Sequence, residues 1–380
     1  MSRFASGDFL PAFYANSSVN PTFAFHSVSG YRLLLAFVGS VRSGPGRSLA
    51  EALLAQAQQL AQRHILVYVV TMDSQQLEDP VLRQLIKKFT VFWDQDRRIA
   101  QLYGIDATPA GASPGTSVLR LGAFLIERNL RLHTLIPANP VDGLATRLQD
   151  AVATLSEQEA ERHISEQAPV LIVPDVLSRS DCRRFIDYYQ ENNPAPSGFM
   201  RDIDGRTQGI LDPTMKRRKD VQIVDRDLQS TLRSALVRRV VPEIRKAYAY
   251  EATRIERYIV ACYDDSDRGF FGAHRDNEQK ATSHRAFAIS LNLNSEEYEG
   301  GNLRFPEYAR HTYKPATGSA VVFSCSLLHE AMPVTRGRRY VILPFVYNDA
   351  AAERRSQNRQ FLSDQPPLTI EAGVPKPAVV

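Results

Sequence analysis

The stretch Phe270-Phe-Gly-Ala-His274-Arg-Asp276-Asn277 decides how the second half of the chain reads. Along a strand, residues two apart project from one face, so the His274 imidazole and the Asp276 carboxylate converge on one point. A second histidine in a suitable setting, His329, follows 55 residues after His274, in Phe323-Ser-Cys-Ser-Leu-Leu-His329-Glu. Two histidines and one carboxylate on one face of an octahedral ion form the set that holds ferrous iron and leaves three positions open.

Around this core lie short apolar runs separated by turn residues: Thr253–Tyr263, Phe270–Asp276, Ala286–Asn294, Gly300–Pro306, Ala320–Ser324 and Arg338–Phe345. Many short strands so spaced predict a sandwich or jelly roll. Upstream, Ser178 is placed to cap a helix running through Tyr189. Leu228–Ala249 reads as a long amphipathic helix interrupted near Pro242, with Leu232, Leu236, Val240 and Ile244 packed on the outside of a sheet. The densest basic run, Lys216-Arg-Arg-Lys-Asp220, reads foremost as a solvated loop; the alternative is a rim that attracts an acidic substrate or partner. His284 and His311 read as structural or surface residues.

Four segments stand in a telling order: Val260-Ala-Cys-Tyr263, Ala273-His-Arg-Asp-Asn277, Tyr298-Glu-Gly-Gly-Asn-Leu-Arg-Phe-Pro306 and His329-Glu-Ala-Met-Pro-Val-Thr-Arg-Gly-Arg-Arg339. Together they resemble the prolyl 4-hydroxylase-like branch of the Fe(II)- and 2-oxoglutarate-dependent dioxygenases. The resemblance implies an α+β double-stranded β-helix (jelly-roll) fold with His274, Asp276 and His329 as iron ligands. It also implies that Arg339, ten positions after the distal histidine, binds the far carboxylate of 2-oxoglutarate, with Arg338 as the neighbour a one-residue slip would choose. Tyr263 and Asn292 match further cosubstrate positions. Fe(II), the cosubstrates 2-oxoglutarate and O2, and optionally ascorbate follow from the same likeness. The implied reaction hydroxylates an unactivated C–H bond, foremost of a prolyl residue in a peptide or protein, and yields succinate and CO2. The alternatives are a small-molecule or amino-acid hydroxylase, and a non-catalytic iron or 2-oxoglutarate sensor or scaffold.

The first 150 residues read differently. Tyr31–Val38 and His64–Met72 are apolar strands joined through a helix over Ser48–Arg63, which predicts a parallel pair with a right-handed crossover. A helix over Pro80–Lys88, a run Thr90–Asp94 and a hairpin from Gly122 turning at Arg128 and Asn129 follow. Gly7-Asp-Phe-Leu-Pro-Ala-Phe13, Asp94–Ile105 and Phe124–Arg131 resemble peroxiredoxins, which implies an α/β thioredoxin-like fold. The chemistry does not follow, because a peroxiredoxin needs a thiolate after the first core strand. That region is Gly39–Ser48, and no cysteine precedes Cys182. The domain therefore reads as catalytically silent, serving interaction with a protein partner or substrate presentation. An anion-binding Gly/Ser loop is the alternative.

The predicted division is 1–150 thioredoxin/peroxiredoxin-like domain, 151–167 linker, 168–348 dioxygenase domain and 349–380 extended C-terminal tail. A net charge of +4 over 380 residues is too mild to indicate nucleic acid. Cys182, Cys262 and Cys325, without metal-site spacing, read as free thiols in a reducing, cytoplasmic setting. No apolar stretch of membrane-spanning length is present, so no membrane partner is expected.

Overall fold

The computed structural model describes residues 3–107, 118–156 and 163–370. The chain divides into two compact units, Met1–Glu161 and Arg162–Val380. Among the described residues, no helix is long and apolar enough to cross a membrane.

The first unit is a thioredoxin-like α/β domain. Its sheet is built from β1 (Arg32–Gly39), β2 (Ile65–Thr71), β3 (Thr90–Trp93), β4 (Gly122–Ile126) and β5 (Leu132–Pro137), in the order β3-β2-β1-β4-β5. β1, β2 and β3 run parallel, whereas β4 and β5 are antiparallel to their neighbours. Helices α1 (Gly44–Ala55), α2 (Pro80–Lys88) and α3 (Leu144–Ala153) bury Leu49, Leu53, Leu82, Leu85 and Leu148 in one core with sheet residues such as Leu34 and Val69. A second core holds Phe13, Phe25, Phe37, Phe92, Tyr103 and Phe124. The predicted helix over Ser48–Arg63 begins earlier, at Gly44, and breaks at Gln56 before a short helix Ala57–Gln62. α3 ends at Ala153, inside the predicted 151–167 linker, and residues 157–162 of that linker lie outside the described residues.

The loop between β1 and α1 is closed by its own chain. The Asp73 carboxylate accepts from the Val41 backbone N–H at 2.8 Å, from Ser40 Oγ at 2.6 Å and from Thr71 Oγ1 at 3.0 Å. An internal carboxylate thus already occupies donors that an anion would need. Gly46 is required for packing, since a Cβ there would fall 2.2 Å from the Val38 carbonyl oxygen.

The second unit is a double-stranded β-helix backed by helices. We label β6 (Leu171–Val173), α4 (Arg179–Glu191), β7 (Ala195–Pro196), β8 (Lys216–Arg217), β9 (Lys219–Gln222), α5 (Arg226–Ala235), α6 (Val241–Tyr248), β10 (Ile259–Asp264), β11 (Phe270–His274) and β12 (Phe287–Asn292). There follow β13 (Leu303–Arg304), β14 (Thr312–Tyr313), β15 (Ala320–Ser324), β16 (His329–Ala331), β17 (Arg338–Ile342), β18 (Phe345–Tyr347) and α7 (Asp349–Asn358). The major sheet runs β6-β15-β12-β17-β10-β9-β7, with β18 on β12; the minor sheet runs β8-β11-β16-β13-β14.

Period-two alternation sorts the side chains between two cores. Val260, Cys262, Tyr340 and Ile342 pack with the helices, including Phe185, Leu232, Leu236, Val240 and Ile244. Ala261, Tyr263 and Val341 instead join Phe271, Leu303 and Phe323 in the inner core of the roll. Burying one such Leu or Phe contributes roughly 1.5–3 kcal/mol. The predicted interruption near Pro242 is a π-helical turn, Leu236–Val240, which lets one apolar stripe continue from α5 into α6.

Two expectations need correction. Thr253–Tyr263 is not one strand: it breaks at Arg257, which has φ +73°, into Arg254–Glu256 paired with β18 and β10 paired with β9 and β17. The predicted extended tail begins with helix α7, capped by Asn348 Oδ1 accepting from Ala351 N–H, and later adds Leu368–Thr369 beside Ile210–Leu211. The remainder of that tail, 371–380, lies outside the described residues.

Candidate active site

β11 and β16 are neighbours in the minor sheet, with His274 directly opposite His329. β11 ends at His274, so Asp276 lies just past the strand, where its N–H donates to the Cys325 carbonyl at 3.0 Å. That bond, rather than strand pleating alone, aims the carboxylate. His274 Nε2 lies 3.6 Å from Asp276 Oδ1, and His329 Nε2 lies 3.4 Å from Oδ2. One ligand atom from each of the three falls within 4.8 Å of the others.

The outer bonds of both imidazoles fix their tautomer. His274 Nδ1 lies 2.8 Å from the Gly272 carbonyl and His329 Nδ1 lies 2.9 Å from the Leu327 carbonyl. A carbonyl only accepts, so Nδ1 carries the proton and each Nε2 presents a lone pair inward. Burial, then the neighbouring His274, brings the His329 pKa down to about 4, which keeps the ring neutral at pH 7. Burial alone would raise the Asp276 carboxyl, but His329 and then His274 outweigh it and hold the group ionised. A neutral pair of imidazoles and a carboxylate are the protonation states a divalent metal requires. Phe271 stacks on His274 at 3.6 Å between ring centroids, and Phe323 lies 4.6 Å from His329, so both ligands are braced by apolar rings.

On the opposite wall, Tyr263 and Arg339 are direct cross-strand partners. Arg339 is only 2% exposed and faces the cavity, whereas the side chain of Arg338 is 61% exposed and pairs with Asp264 at 2.7 Å. Arg339 Nη2 donates to Ser290 Oγ at 2.9 Å, its guanidinium lies 5.2 Å from the Tyr263 ring centroid, and its buried Nε has no hydrogen-bond partner. An orphan donor on a buried guanidinium is costly unless a ligand completes it. Asn292 departs from expectation. It does not line the cavity; its Nδ2 bonds Ser295 Oγ and the Pro315 carbonyl, and its Oδ1 sits 3.5 Å from Arg339 Nη2, so it braces the arginine from behind. Ser290, two residues earlier on the same strand, is the residue that reaches the cavity.

Residues 258–347 match the model of the 2OG-Fe(II) oxygenase superfamily. The second unit carries a 2OG-Fe(II) oxygenase domain. A PKHD-type hydroxylase of Synechococcus sp. (strain JA-2-3B'a(2-13)) is 23% identical over 205 residues, which cover 51% of this chain and 84% of that protein. Among solved structures, the oxygenase domain is similar to a prolyl hydroxylase from Trichoplax adhaerens in complex with a hypoxia inducible factor peptide fragment. That match has 18% identity and a TM-score of 0.39, and covers 50% of this chain and 86% of the other. A Mycobacterium tuberculosis peroxidoxin, BcpB, matches at 12% identity and a TM-score of 0.34, over 40% of this chain and 96% of its own.

The oxygenase domain also contains cavity residues that sequence reading missed. The basic run is no solvated loop. Lys216 and Arg218 are buried, each 6% exposed, while the alternating residues Arg217 and Lys219 face solvent. Arg218 forms a bidentate pair with Asp220 at 2.7 and 2.8 Å, and its Nη1 donates to the Tyr263 hydroxyl at 3.3 Å. Arg257 Nη2 reaches the same carboxylate at 3.3 Å. Arg218 and Arg257 both line the cavity that holds the His–Asp–His set. The signal was available: Lys216, Arg218 and Asp220 are spaced by two and share one face of an extended chain. His284 is buried and bonds Glu256, which also pairs with Arg285 at 2.8 Å, in keeping with a structural role.

Proposed function

We propose that this chain hydroxylates an unactivated C–H bond, foremost of a prolyl residue in a peptide or protein, using Fe(II), 2-oxoglutarate and O2. The observation that carries this reading is the convergence of His274 Nε2, His329 Nε2 and the Asp276 carboxylate in a cavity whose far wall holds Arg339 with an unpaired Nε. Three such ligands on one face suit ferrous iron and leave positions for a chelating cosubstrate. Bound there, the metal and 2-oxoglutarate would supply the oxidising power for C–H hydroxylation, with succinate and CO2 as coproducts.

The remaining work belongs to side chains already in place. The Gly272 and Leu327 carbonyls hold the imidazoles with their lone pairs inward. Arg339 offers a planar fork to the distal carboxylate of 2-oxoglutarate, a geometry lysine cannot reproduce. The Tyr263 hydroxyl accepts from Arg218, which leaves its own proton to donate to a cosubstrate oxygen. Phe271, Leu303, Phe323 and Ala331 wall the cavity with apolar surface and exclude water from the reacting centre. The prolyl assignment is supported by the order of motifs from Tyr263 to Arg339.

The test is succinate formation from 2-oxoglutarate with ferrous iron, air and ascorbate, in the presence of a prolyl peptide library. Turnover that requires iron and disappears in His274→Ala supports the proposal. Iron binding without succinate under any condition would instead support a sensor or scaffold.

A further inference from the structure

The cavity holds more positive charge than its cosubstrate can use. Arg218, Arg257 and Lys216 gather around one carboxylate, Asp220, and among the described residues it is the only one paired with any of them. Lys216 is buried with its ammonium on Ser197 Oγ at 2.9 Å and on the Gly198 carbonyl at 2.6 Å. Burial, then the Arg218 charge, pushes its pKa well below the ordinary value, and the same two causes bring Arg257 down to about 10. Both guanidiniums nevertheless stay charged at pH 7, so at least one positive charge lacks a counterion even when Lys216 is neutral.

The cosubstrate does not supply that counterion. A divalent metal with Asp276 carries one net positive charge and Arg339 a second, which the two carboxylates of 2-oxoglutarate cancel. Arg218 and Arg339 lie 5.6 and 5.2 Å from the Tyr263 ring centroid, Arg257 lies 5.6 Å from that of Phe345, and all three arginines line the cavity. Arg257 donates one hydrogen bond, to Asp220, and its side chain is 26% exposed, so its remaining donors are open to a ligand. Its backbone lies at φ +73°, a conformation a non-glycine residue holds at a cost of roughly 1–2 kcal/mol. The cluster also lies close to the reacting centre: Lys216 Nζ sits 4.6 Å from the Phe271 ring centroid, and Phe271 stacks on His274.

We infer that Arg257 and Arg218, with Lys216 behind them, form a subsite for a carboxylate of the substrate, so that the molecule hydroxylated here is an anion. The inference rests on the oxygenase reading above and deepens it by naming the charge of the substrate. The carboxylate has two sources: the terminal carboxylate of a free amino acid or peptide, and the side chain of an Asp or Glu within a longer peptide.

The full chain, loaded with iron, is first titrated with 2-oxoglutarate, and succinate is then measured against a panel. The panel contains free amino acids, peptides with a free C-terminal carboxylate, amidated peptides with internal Asp or Glu, the same peptides with Asn or Gln, and phosphopeptides. Stimulation of succinate release above the substrate-free rate only by carboxylate-bearing members is the expected result. Which of the first three groups responds identifies the source. For the stimulating compound, Arg257→Gln raises KM by about 10-fold or more, the scale of losing a hydrogen bond to a charged group. Arg257→Lys, which keeps the charge, recovers much of it, and a 2-oxoglutarate titration of each variant shows that the fold is intact. No stimulation by any carboxylate-bearing member, equal stimulation by neutral peptides, or stimulation by phosphopeptides alone overturns the inference while 2-oxoglutarate binding leaves the oxygenase reading standing. Failure of the wild-type chain to bind 2-oxoglutarate overturns both.

Discussion

Two buried or half-buried carboxylates occupy matching places in the two units. Asp73 follows β2 by two residues and Asp276 follows β11 by two residues. Asp73 is saturated by its own chain through Ser40, Val41 and Thr71. Asp276 instead faces two imidazole nitrogens that carry lone pairs, across a cavity from an arginine whose Nε is unpaired. The first arrangement is complete without a ligand; the second is a set of acceptors and donors that only a cation and an anion can complete. The contrast locates the candidate site where polar groups remain unsatisfied.

The sharpest way to break this contrast is to remove the open carboxylate. Asp276→Ala should abolish iron-dependent succinate formation, a loss beyond the roughly 10–100-fold that even outer partners of metal ligands contribute. Isothermal titration with Fe(II) under anaerobic conditions checks that the metal site is lost with it. Arg339→Ala comes next. Losing one partner of a buried charge pair costs about 3 kcal/mol, so the Kd for 2-oxoglutarate should rise roughly 100-fold.

Glu256 sharpens the comparison by pH. Burial raises its carboxyl, but the bonds from His284 and Arg285 outweigh that and hold its pKa at about 2 against an ordinary 4.5. A depressed acid pKa contributes stability that is fully present above pH 4.5 and is lost as pH falls towards 2. At about 1.4 kcal/mol per unit this amounts to roughly 3 kcal/mol. In denaturant titrations, Glu256→Gln should therefore be less stable than the wild type at pH 7, with the gap closing as pH falls through that window. In the thioredoxin-like unit, Asp73→Asn should destabilise by about 1–3 kcal/mol, the scale of unsatisfied buried donors, and leave succinate formation unchanged. The smallest effect is expected for Arg338→Ala, whose exposed ion pair contributes about 1 kcal/mol or less and whose loss should not alter 2-oxoglutarate affinity.

Much of this was legible in the chain because it depends on short-range pattern. The His274–Asp276 spacing and the distal His329 marked the site, and strand alternation separates Arg339 from Arg338 once the β10–β17 register pairs Tyr263 with Arg339. Reading β11 as running to Asp276 was one step too simple, since the strand ends at His274 and the Cys325 carbonyl takes over. Asn292 was placed one pair of residues too far along β12: Ser290 reaches the cavity, whereas the Asn292 amide is taken up by Ser295 and the Pro315 carbonyl. The basic run was misread because charge suggested solvent, although its period-two spacing marks one buried face. No local signal foretold that Arg257, from a separate strand end, would share Asp220 with Arg218. Helix α7 was hidden by the proline-rich residues beyond it, although Asn348 and Asp349 stand where a capped helix begins.

The most direct test is an anaerobic calorimetric titration of 2-oxoglutarate into the iron-loaded full chain, run in parallel on wild type, Asp276→Ala and Arg339→Ala. One equivalent should bind the wild type, about 100-fold weaker binding should follow in Arg339→Ala, and metal-dependent binding should vanish in Asp276→Ala. Equal affinity in wild type and Arg339→Ala would contradict the assignment of this cavity as the cosubstrate site.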